Sequence, residues 1–61
     1  MTELEQRIDA EITRVAEKYG LDYSGDIGER ERARIRYIAY DKVKDENYSL
    51  YMAIMYAIDN F

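Results

Sequence analysis

Apolar residues in the first third of the chain recur at helical spacing. Leu4, Ile8, Ile12, Val15 and Tyr19 form one narrow stripe, with charged residues filling the positions between. That is the face of an amphipathic helix. Thr2 with Glu5 three residues later is a capping-box pattern, and Gly20 followed by Leu21 matches a left-handed C-terminal cap with its apolar successor. The pattern predicts a helix over about 3–19.

A second periodic segment predicts a helix over about 27–44. Ile27, Ile35, Ile38, Ala39 and Val43 share one face, with Ala33, Tyr37 and Tyr40 opposite. Asp26 with Glu29 repeats the cap signature. Lys42 and Lys44 sit near the end, where cations complement the helix dipole. The residues 45–47 read as a polar break, although no Gly or Pro enforces one; without it the last two helices would merge into a hairpin that must dimerise. Asp45, Asn47 and Ser49 are all candidate caps for the last helix.

The final segment, predicted as a helix over about 48–60, is apolar nearly all round. Leu50, Ile54, Ala57, Ile58 and Phe61 fall on one side, with Tyr51 at the margin. Tyr48, Met52, Met55 and Tyr56 fall on the other, interrupted by Asp59. Such a helix is normally covered on more than one side. The expected architecture is all-α, a single domain of three helices in a bundle-like arrangement completed by oligomerisation. Leu4, Ile8, Ile12, Val15, Tyr19, Ile35, Ile38, Leu50, Ile54, Ile58 and Phe61 are the expected core.

The connector over 20–28 holds all three glycines of the chain. Asp22, Ser24 and Asp26 alternate as in a calcium loop, but Ile27 and Ala33 stand where that loop needs Gly and Glu. Gly25-Asp26-Ile27-Gly28 matches a phosphate-clamping GxxG only in its glycines, since an acidic residue lies inside it. No Gly-Lys-Ser/Thr loop is present. The segment reads as a helix–helix connection, with Leu21, Tyr23 and Ile27 tucked against the core.

Arg30, Arg32, Arg34 and Arg36 alternate, and in a strand all four would point one way. The alternation resembles the ribbon of ribbon-helix-helix DNA binders in pattern alone, because the chain after Tyr40 is too short for the two helices that succeed such a ribbon. Ala, Arg and Glu favour helix. On a helix Arg30 pairs with Arg34 and Arg32 with Arg36, well apart around the axis.

Composition narrows the function. A chain of 61 residues buries only about 60% of its unfolded surface. Cys and His are both absent, which removes disulfides, the usual zinc sites, the common general base and the thiol nucleophile. Asp41 and Asp45, at i,i+4, read as exposed helix residues rather than an acid–base pair. No enzyme activity, cofactor or metal is expected. The apolar run of the last helix is shorter than the roughly 20 residues that span a bilayer, and no secretory leader is visible; a cytoplasmic protein with no membrane partner is expected. A net charge of −4 disfavours nucleic acid.

Seven Tyr against one Phe and no Trp is the unusual feature. Tyrosine, with an apolar body and a polar tip, suits half-buried contact surfaces. The expected function is a non-enzymatic protein–protein interaction module, a homo-oligomer (dimer favoured) or a binder of a larger protein partner. Its interface would be Tyr37, Tyr40, Tyr48, Met52, Met55 and Tyr56 with an acidic rim. Size and charge fit the small regulators or inhibitors that phages and bacteria make. The alternative is a nucleic-acid-binding regulator whose dimer presents Arg30, Arg32, Arg34 and Arg36.

Overall fold

The computed structural model describes residues 1–60, and Phe61, expected in the core, lies outside the described residues. Three helices succeed one another: α1 (Glu3–Tyr19), α2 (Gly25–Glu46) and α3 (Leu50–Asp59). The Arg-rich segment is helical throughout, so the strand reading of 30–36 is excluded. The radius of gyration is 10.5 Å, matching the value of about 10.5 Å that scaling gives a folded chain of this length. The single chain therefore closes on itself.

Both ends of α1 are set by its local sequence. The Thr2 hydroxyl accepts from the Glu5 amide at 3.1 Å and the Glu5 carboxylate accepts from the Thr2 amide at 3.0 Å. At the other end Gly20 takes φ +68°, and the Gly20 and Leu21 amides both donate to the Ala16 carbonyl. These bonds satisfy groups that a helix terminus otherwise leaves orphaned.

The start of α2 corrects the sequence reading. Ser24, not Asp26, is the N-cap residue, and no side chain caps the helix. Instead the Ser24 amide donates to Asp22 Oδ1 at 2.9 Å, tightening the connector before it. Gly28 is the buried residue of the first turns, and a Cβ built on it would stand 2.1 Å from the Tyr23 carbonyl carbon. The helix thus turns its glycine toward the connector, and Ile27, rotated by about 100° from it, is 73% exposed. Tyr23 does pack on the core, whereas Leu21 stays exposed.

The break between α2 and α3 is real. Asn47 adopts φ +57°, a conformation that Asn tolerates better than most residues. Its amide and that of Tyr48 converge on the Lys42 carbonyl. Ser49 is the cap that forms, its hydroxyl accepting from the Met52 amide at 3.2 Å.

Ile8, Ile12 and Val15 of α1 meet Ile35 and Ala39 of α2 and Ala53, Ile54 and Ala57 of α3 in one core, and Ala16 of α1 is buried as well. Ile8, Ile12, Ile35 and Ile54 are the largest fully buried side chains; burying each contributes about 1.5–3 kcal/mol. Leu4, Ile38, Leu50 and Ile58 pack at its margin. Tyr19 does not enter it; the ring is 47% exposed. Ala39, Ala53 and Ala57, absent from the expected core, are fully buried in it, where small side chains let helix axes approach closely. Among the described residues no helix is long and apolar enough to cross a membrane.

Candidate functional site

The six Tyr and Met positions differ in exposure. Tyr40, Tyr48 and Met55 are half-buried against the core. Tyr48 and Tyr56 pack edge to face, with ring centroids 6.0 Å apart, joining the α2–α3 connection to α3. Lys42 lies over the Tyr56 ring at 4.2 Å and the Tyr48 ring at 5.7 Å. Its ammonium also donates to Glu46 at 2.6 Å, and that bond, outweighing desolvation, holds its pKa above the usual lysine value. Tyr37 and Met52 are exposed, at 73% and 57%.

Tyr37 and Tyr40 instead line an open groove of about 530 Å³ with Glu5, Ala33, Arg36 and Asp41. Glu5 reaches this groove from α1. The Thr2 amide, the Thr2 hydroxyl and, more weakly, Arg36 hold its carboxyl below the usual range. Lys44 donates to the Tyr40 hydroxyl at 3.2 Å, orienting that ring.

The four arginines divide between two environments. Arg32 Nε donates to Asp9 Oδ1 at 3.0 Å, and its terminal nitrogen bonds the Asp9 carbonyl and the Thr13 hydroxyl. Arg36 donates to the same Asp9 oxygen at 3.0 Å. Burial alone would raise the Asp9 pKa, but the bonds and charges of Arg32 and Arg36 bring it below the ordinary carboxylate value. The pairing of Glu5, Asp9 and Thr13 with successively earlier positions of α2 shows that α1 and α2 run antiparallel. Arg30 and Arg34 are exposed and border a shallower hollow with Ile27 and Glu31.

Asp9 was not legible as an anchor, because a single carboxylate in an amphipathic helix looks like any other. The Tyr19–Tyr51 contact was also hidden: the two hydroxyls are 2.7 Å apart, joining α1 to α3, with Lys18 near both rings. Among the described residues no group of three or more acidic side chains could hold a metal ion. Asp41 and Asp45 are both exposed. No family model, no curated protein and no solved structure matches this chain.

Proposed function

We propose that this chain is a non-enzymatic protein–protein interaction module, a small homo-oligomeric regulator or inhibitor. One observation carries the reading: large apolar side chains remain exposed on a domain whose three helices already pack a core of their own. Tyr37 and Met52 are the accessible members of the stripe, and Tyr40 is reached through the groove. Tyr48, Met55 and Tyr56 are half-buried members of it. Glu5 and Asp41 at the groove supply the acidic rim, which favours a basic segment on the partner.

Nucleic-acid binding by Arg30, Arg32, Arg34 and Arg36 is the weaker reading. Two of those cations are already engaged by Asp9, so less charge is available to neutralise phosphates.

Sedimentation equilibrium over a concentration series tests the proposal. The expected result is a mass rising above that of one chain, with Tyr37→Ser shifting the curve to higher concentration. A single-chain mass maintained up to about 1 mM, where only interactions weaker than roughly −4 kcal/mol escape detection, would remove the homo-oligomeric reading.

A further inference from the structure

With no cysteine, this chain has no disulfide to fasten its helices to one another. It does hold seven tyrosines, and two of them meet at their hydroxyl ends. Tyr19, the last residue of α1, and Tyr51, in the first turn of α3, bring their hydroxyl oxygens to 2.7 Å. The two residues are 32 apart in sequence, and the whole of α2 lies between them. Both are open to solvent, at 47% and 37% exposure, so a reagent reaches them without unfolding the domain.

Phenols couple when each loses one electron and its hydroxyl proton. The resulting phenoxyl radicals carry spin on the ring carbons ortho to oxygen, and two such carbons join. The product sets its two hydroxyls side by side across the new bond, within hydrogen-bonding reach. Tyr19 and Tyr51 already hold their oxygens in that relation. Exposed side chains change rotamer in picoseconds to nanoseconds, fast enough to bring the ortho carbons together while the radicals last.

We propose that Tyr19 and Tyr51 form a modification site, at which a one-electron oxidant joins them as dityrosine and staples α1 to α3. Both O–H bonds break first; their protons pass to water and the two electrons pass to the oxidant. One carbon–carbon bond then forms. The protons of the two ortho C–H groups leave through water and reach the oxygens, restoring both rings and both hydroxyls. The net change is the loss of two hydrogen atoms from the chain and the reduction of two equivalents of oxidant.

The surroundings favour this pair over the Tyr48–Tyr56 contact. The hydrogen bond with Tyr51, aided by the charge of Lys18, holds the Tyr19 phenol below its usual range. The phenolate is the form that yields an electron most readily. Tyr48 and Tyr56 are both half-buried and meet at an interplanar angle of 82°, which sets the edge of one ring against the face of the other. Joining Tyr19 to Tyr51 closes a loop that contains all of α2, and a closed loop of that length restricts the unfolded chain. The stapled chain therefore resists denaturant better than the open one.

Oxidation of the full chain with ruthenium(III) tris-bipyridine, an outer-sphere one-electron oxidant, tests the site at a dilution that keeps chains apart. Dityrosine fluorescence is expected on a product with the mass of a single chain less two hydrogen atoms. Tyr19→Phe and Tyr51→Phe keep the ring and remove the hydroxyl, and each is expected to lose that product. Tyr37→Phe and Tyr48→Phe are expected to keep it, with circular dichroism confirming that every variant stays helical. The purified cross-linked chain is expected to unfold at a higher urea concentration than uncoupled chain from the same reaction. A wild-type chain that gives only products joining two chains, or no dityrosine at all, would overturn the proposal. So would a single-chain product that survives in Y19F or Y51F, or a cross-linked chain whose urea midpoint does not rise.

Discussion

Arg32 Nε lies 3.0 Å from Asp9 Oδ1, a bond between residues 23 apart in sequence that joins α1 to α2 at the edge of the core. Arg36 shares that oxygen, so one carboxylate holds two guanidinium groups. The Asp9 carboxyl is held below its ordinary value of 3.8 because the arginines outweigh its partial burial. A depressed native pKa stabilises the fold above the unfolded value, and that contribution disappears as pH falls through the native one. The chain is therefore expected to lose stability below about pH 4, and Asp9→Asn to remove part of that acid sensitivity while lowering stability at neutral pH by about 1–2 kcal/mol. Urea midpoints measured across the acid range check both.

Two glycines should respond differently to the same substitution. Gly28→Ala would drive a methyl group into the Tyr23 backbone at 2.1 Å, which only a shift of the connector relieves. A loss of about 3 kcal/mol or more is expected. Gly20→Ala meets nothing within 4 Å and suffers only from φ +68°, so about 1 kcal/mol is expected. Thermal unfolding of the two variants separates the steric effect from the conformational one.

The Tyr19 and Tyr51 hydroxyls share a hydrogen bond. Acting chiefly through that bond, each moves the other's titration: Tyr19 falls below the ordinary phenol value and Tyr51 rises above it. The tyrosinate absorbance should therefore show Tyr19 ionising early and Tyr51 late, together with Tyr23, which burial also raises. Tyr51→Phe is expected to return Tyr19 toward its ordinary value, whereas Tyr37→Phe should leave the early phase in place.

Alanine scanning should divide the Tyr/Met stripe by its role in folding. Tyr48→Ala removes a ring packed on the core and on Tyr56, and a loss of about 2–3 kcal/mol is expected. Tyr37→Ala and Met52→Ala change exposed side chains and are expected to stay within about 0.5 kcal/mol. Chemical denaturation at a concentration low enough to keep the chain single isolates these effects from association.

Local rules were enough for much of the framework. The stripe from Leu4 to Val15, the Thr2–Glu5 box and Gly20 bounded α1 because periodicity, caps and left-handed backbone each act within a few residues. The same rules separated Arg30 and Arg34 from Arg32 and Arg36, and they kept the Arg-rich segment helical. They failed where two elements meet. Ile27 points outward because Gly28, not Ile27, has to pass the Tyr23 backbone. Tyr19 stays at the surface because its hydroxyl reaches Tyr51, and Ala53 enters the core because small residues admit close helix axes. Whether a tyrosine lies on the core, like Tyr40 and Tyr48, or in solvent, like Tyr37, depends on how closely neighbouring helices approach and at what angle. That distance is a property of all three helices together, so hydropathy along one chain segment does not contain it. Tertiary packing alone decided which part of the Tyr/Met stripe remained exposed.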